Sequence, residues 1–189
     1  RLAGGGVIVR FGLPGGAPNV PSRIWGTQTP IGQLPGTFFE LLGLGDMSGT
    51  VPHEPRYFSF GTFNRDFLSQ REGLSMLVLE GRGEPDALEF KQSGIGDFEL
   101  FKFEREGRRP DGGVINLAFA LAFASNPQAP DTGFFTCQQL YPENFWNPEF
   151  QVHDNTASSV AGVVFVAEAP DDHREFFKAF TGAQEAEPV

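Results

Sequence analysis

A strand followed by a helix is spelled twice in this chain in similar letters, and that repetition constrains the fold more than any other feature. The apolar run Ser75 to Glu80 precedes Pro85-Asp86 and a helix leaving through Gly94; the run Val160 to Ala167 precedes Pro170-Asp171 and a helix leaving through Gly182. The two Pro-Asp pairs stand 85 residues apart. Proline suits the first helical turn, where its missing N–H leaves nothing unpaired. Acids suit the positive end of the helix dipole, and glycine suits the exit. A unit reused at a fixed offset implies a repeated module.

Around these units the chain reads mainly as strands. Val7 to Phe11, Ser22 to Leu34 and Thr37 to Leu44 are separated by Gly and Pro punctuation. Phe63, Phe67 and Leu68 share one face of a short helix predicted over 63–73, with Gly73 as its stop. After the first βα unit come Asp97 to Glu104, Val114 to Ala124 and Thr132 to Leu140, with a tight Pro-Asp-Gly hairpin within 108–113. Residues 74–141 therefore spell βαβββ. The three strands of 1–46 become a second such module if the βα unit of 158–182 packs beside them, and 47–73 is a connector carrying the short helix. The expected fold is α+β: a single domain of paired βαβββ modules whose curved mixed sheets enclose a cleft. The alternative is a piece whose complements lie outside these 189 residues.

Charge narrows the partners. A formal charge of −10 opposes nucleic acids and anionic membranes, because phosphate contacts need basic surface. No apolar run is long enough to span a bilayer. The lone Cys137 excludes an internal disulfide, so a reducing cytoplasm is the default expectation. With 21 Phe against 2 Trp and 2 Tyr, core and cleft are expected to be lined by apolar rings. Gly4 to Gly6 lack the spacing and the βαβ setting of a dinucleotide site.

Several stretches, in order, resemble the glyoxalase-like branch of the vicinal oxygen chelate superfamily. They are Trp25-Gly-Thr27, Gln33-Leu-Pro-Gly36, Phe39-Glu-Leu-Leu-Gly43, Phe63 to Leu68 with Arg71-Glu-Gly73, Arg109-Pro-Asp-Gly112, Phe134 to Gln139, Pro142 to Trp146, and His153 with Asn155. The resemblance implies a divalent metal held by inward side chains of each module's outer strands, polarising vicinal oxygens during isomerisation, dioxygenation or epoxide opening. It places Glu40 as metal ligand or base. It also places histidines where this chain has Pro30 and Leu140, so the ligand set looks incomplete, with Gln138 or Gln139 and His153 as the remaining donors.

The residues allow competing readings. Strand alternation either aims Glu40 inward or turns it to solvent while Phe39 and Leu41 face the core. His153 is a turn and cap residue or a second catalytic residue. One of Gln138 and Gln139 must face the concave side. Asn116 is a pocket hydrogen-bonder or an edge residue. Trp146 belongs to an aromatic loop, 141–148, that either covers a ligand or packs on a partner subunit. Cys137 reads as a small core residue, since nothing nearby in sequence lowers its pKa. Two functions stay open. One is a lyase, isomerase or dioxygenase acting on a small oxygenated molecule, with catalytic Glu40 and His153 and with Gln138, Gln139, Asn116 and Trp146 on the substrate. The other is a metal-free module that sequesters an apolar small molecule. A homodimer is expected in both, and a third reading makes the aromatic loops chiefly an assembly surface.

Overall fold

The computed structural model describes residues 31–109 and 111–186, together with the backbone of three short strands before them. The elements are β1 (Leu2–Ala3), β2 (Pro21–Ser22), β3 (Thr27–Gln28), β4 (Ile31–Leu34), β5 (Thr37–Glu40), β6 (Gly43–Leu44), α1 (Phe60–Leu68), β7 (Met76–Glu80), α2 (Glu84–Gln92), β8 (Phe101–Arg108), β9 (Val114–Ala124), β10 (Gly133–Gln139), α3 (Pro142–Phe145), β11 (Val166–Ala167) and α4 (Arg174–Thr181). The fold is α+β. Its centre is a four-stranded sheet in the order β7-β10-β9-β8, with β7 parallel to β10 and the other pairs antiparallel. With α2 as the crossover, residues 76–139 form the expected βαβββ unit.

The sequence of β9 explains the two layers. Ala118, Ala120, Ala122 and Ala124 alternate with Leu117, Phe119, Leu121 and Phe123, so small side chains line one face and large ones the other. Against the alanine face lie α2 and α4: Phe90, Phe176 and Phe180 cluster with Ala122, Ala124 and Phe134. The Phe134 ring centroid is 4.7 Å from that of Phe176 and 5.4 Å from that of Phe180. Large residues on β9 would hold the helices off; alanines let them settle onto the strand. The opposite face packs Phe60 of α1, the β4–β5 hairpin and Phe145 onto Leu117, Phe119, Leu121 and Phe135.

Both repeated helices open and close as expected. Pro85 lies in the first turn of α2, and Pro170 opens the 3-10 turn that feeds α4. Gly94 and Gly182 follow their helices at φ of 70° and 72°, a left-handed conformation that glycine adopts without strain. The turn expected over 108–113 closes on either side of Pro110, which lies outside the described residues: the Gly112 N–H donates to the Arg109 carbonyl at 2.9 Å, and Gly112 has φ of 85°.

Several boundaries differ. α1 begins at Phe60 rather than Phe63, because the Ser59 hydroxyl caps it by accepting from the Thr62 N–H at 3.2 Å. It ends at Leu68, and Phe60, Asn64 and Phe67 form its buried stripe. β8 starts at Phe101, four residues late and opposite Leu121, because the chain before it turns to other partners: the Glu99 N–H donates to the Arg56 carbonyl at 2.8 Å. The strand expected over 160–167 narrows to β11, which pairs antiparallel with β1. Ser22 to Leu34 divides into Ser22 at the end of β2, β3 beside it in the same sheet, and β4 in a different sheet with β5. The strand expected over Val7 to Phe11 lies outside the described residues.

Candidate functional site

The concave face of the four-stranded sheet and the β4–β5 hairpin form the two walls of the site. Register pairs Ile31 with Glu40 and Gln33 with Phe38, so these four side chains share one face of the hairpin. Ile31 and Phe38 pack onto the Leu/Phe face of the sheet. Glu40 therefore stands on the same side as Phe38, the side that packs on the sheet rather than that of Phe39, at an exposed position where it acts electrostatically on Arg105 and Cys137. It is the exposed Leu41 that turns the other way.

Between the hairpin, the β8–β9 turn and the segment after β10 lies a cleft of about 440 Å³. Ile31, Ile115, Trp146 and Phe150 give it apolar walls, and Gln33 and Arg105 supply polar groups. Most phenylalanines fill the two cores instead; Phe119, Phe123 and Phe135 are buried in the sheet. The expected Phe lining thus reduces to Phe145 and Phe150. These dimensions suit a small organic molecule.

Gln33 holds this architecture together. Its side-chain N–H donates to the Phe145 carbonyl at 2.7 Å, and its side-chain oxygen accepts from the Asn147 N–H at 3.1 Å. His153 completes the clamp. Its Nε2 is 2.6 Å from the Gln33 carbonyl, which can only accept, so Nε2 carries the proton. The aromatic loop is therefore fixed to the hairpin. Phe145 is its wedge, with ring centroids 5.2 Å from Phe38 and 5.9 Å from Phe119. Asn144 adds a bond to the Asn116 carbonyl at 2.9 Å.

The expected site residues are distributed by strand parity. Gln139 shares the concave face with Phe135 and Cys137, opposite Phe119. Gln138 lies on the helix face, where its side-chain oxygen fills the space that a Cβ on Gly83 would enter, 2.5 Å away. Asn116 is exposed and falls on the alanine side of β9. Of the six residues proposed from the sequence, Trp146 lines the cleft, and Glu40 and Gln139 belong to the same side of the sheet. His153 is buried behind Gln33. Arg105 was not legible, because a strand ending at Glu104 stops one residue short; continuing the alternation Phe101, Phe103, Arg105 would have placed it on the inner face. Gln33 showed only as part of a motif.

The geometry fits the order of motifs along the chain, and a model of the glyoxalase-like domain matches residues 12–181. The chain belongs to the glyoxalase-like domain family. That family is part of the vicinal oxygen chelate superfamily. Comparisons with curated proteins and with solved structures gave no match.

A vicinal oxygen chelate fold raises the question of a metal. In this glyoxalase-like chain no three His, Cys, Asp or Glu side chains converge as a ligand set among the described residues. Glu40 offers one carboxylate, but the Nε2 of His153 is engaged with a backbone carbonyl. The Cys137 thiol is pushed up to about 12, by burial first and then by the charge of Glu40, so it holds its proton and is a poor ligand. The described donors do not fit a metal centre. Arg105 is half-buried, with its guanidinium carbon 6.0 Å from the centroid of the Phe119 ring. Burial lowers its pKa and Glu40 raises it; it remains a cation. No described helix is long and apolar enough to cross a membrane.

Proposed function

We propose that this glyoxalase-like protein binds a small oxygenated or apolar molecule in the cleft between the β4–β5 hairpin and the concave face of the sheet. The observation that carries the reading is the cleft itself. Its apolar walls are held open by the Gln33 clamp, and a few polar groups converge on it. Binding without a resident metal accords with the donors available around Glu40. The catalytic reading, as a lyase, isomerase or dioxygenase, is favoured by one observation: Glu40 lies on the same side of the hairpin as Phe38 and acts electrostatically on Arg105, a pairing suited to a general base acting on a polarised substrate. His153 then serves as a positioning residue behind Gln33.

The test is ligand-dependent fluorescence of Trp146 in a Trp25→Phe variant, using neutral aryl diols, catechols and aryl amides as probes. Saturable quenching that disappears in Trp146-retaining Ile115→Trp, where an added indole obstructs the cleft, is the expected result. The absence of any saturable change would remove the reading. Glu40→Gln separates the two modes: a sequestering module keeps its affinity and shows no turnover in either form, whereas an enzyme keeps affinity and loses turnover.

A further inference from the structure

The basic residues of this acidic chain show one departure from a uniform pattern. Every described lysine and arginine outside the cleft has a carboxylate within 4.0 Å. The three described cations with none are Arg105, Arg108 and Arg109, and all three line the cleft. Acidic groups are not scarce: 24 Asp and Glu face 14 Lys and Arg, and Asp111, Glu143 and Glu149 line the same cleft. Those three are exposed, as are Arg108 and Arg109, whereas Arg105 is half-buried on the concave face of β8. Glu40 acts on Arg105 from a distance but closes no ion pair with it, and a guanidinium without a hydrogen-bonded carboxylate, set into an apolar wall, has a desolvation cost that an anionic ligand would offset.

We propose that Arg105 anchors the carboxylate of a small monoanionic ligand whose apolar body lies against Trp146 and Ile115. This rests on the cleft being the binding site, as proposed above. A planar carboxylate matches the guanidinium fork, and each charge-assisted bond is stronger than its neutral counterpart. The rim carboxylates and the net charge of −10 act against dianions, so a carboxylate is favoured over a phosphate ester. The cleft of about 440 Å³ has room for an aryl or short alkyl body beyond the anchor.

The experiment compares 3-phenylpropionate, the neutral 3-phenylpropanamide and phenyl phosphate on the full chain by calorimetry and by shifts of the Trp146 indole signal. The acid is expected to bind about tenfold or more tightly than the amide, a difference of about 1.4 kcal/mol, with phenyl phosphate weaker than the acid. Arg105→Gln, confirmed as folded by circular dichroism, should bring acid and amide to equal affinity. Arg105→Lys, which keeps the charge but not the fork, should retain part of the preference. Equal binding of acid and amide to the unaltered chain, or a preference that survives Arg105→Gln, overturns the anchor. If both then shift the Trp146 indole, the cleft stands and only its charge selectivity falls. If none of the three compounds shifts the indole or releases heat, anchor and cleft fall together.

Discussion

The two faces of the four-stranded sheet are built from the same strands yet do opposite things. On the helix face, alanines let α2 and α4 settle closely, and the polar groups that are buried there are partnered. Asp86 accepts from the Arg82 N–H at 2.7 Å and from the Thr136 hydroxyl at 2.9 Å, and it pairs with the Arg82 guanidinium. On the concave face, Leu and Phe side chains support a hairpin and a clamped loop that leave a cleft with an arginine lacking a paired carboxylate. One face spends its alternation on dense packing. The other leaves space that function can use, so damage should show as lost stability on the first and lost recognition on the second.

The largest test of that contrast is Phe134→Ala. Phe134 is fully buried beneath α4, and truncation should cost about 3–5 kcal/mol in a denaturant melt; a cost below about 1 kcal/mol would mean that α4 is not held by this packing. Asp86→Ala comes next, at about 2–4 kcal/mol, because it strands the Thr136 hydroxyl and the Arg82 N–H. Asp86→Asn should recover part of the loss, and full stability in the alanine variant would refute the network. On the concave face, Gln33→Ala should cost about 1–2 kcal/mol while sharply speeding hydrogen exchange at the Asn147 N–H. Unchanged exchange there would show that the loop is held by other contacts.

The smallest effect concerns pH at the foot of α1. His53 accepts from the Ser59 N–H through Nδ1 at 3.1 Å, a role open only to the neutral ring. Burial is the first cause that lowers its pKa from 6.5, with Arg65 adding to it and Asp66 opposing. The unfolded chain therefore takes up the proton first. Stability from this contact is full above about 6.5 and is lost as pH falls below that value towards the folded pKa. His53→Gln, which keeps an acceptor, should flatten this part of the profile in thermal melts taken at stepped pH. An identical slope in both proteins would exclude His53 as its source.

The sequence by itself determined the βαβββ unit of 76–139, because alternation, proline at helix entry and glycine at helix exit are local properties that act within a few residues. It also carried the family, through the order of its motifs. The site was less legible. Whether Gln138 or Gln139 faces inward, and whether the side of Phe38 and Glu40 or that of Phe39 and Leu41 packs on the sheet, follow from strand register and packing, because sequence alternation does not say which of its two faces is the inner one. The clamp of Gln33 on Phe145, Asn147 and His153 joins residues 112 to 120 positions apart. No local pattern encodes such a contact. Only the packing of the hairpin on the concave face decided that an arginine one residue past an expected strand end would stand, without a paired carboxylate, in the wall of a cleft.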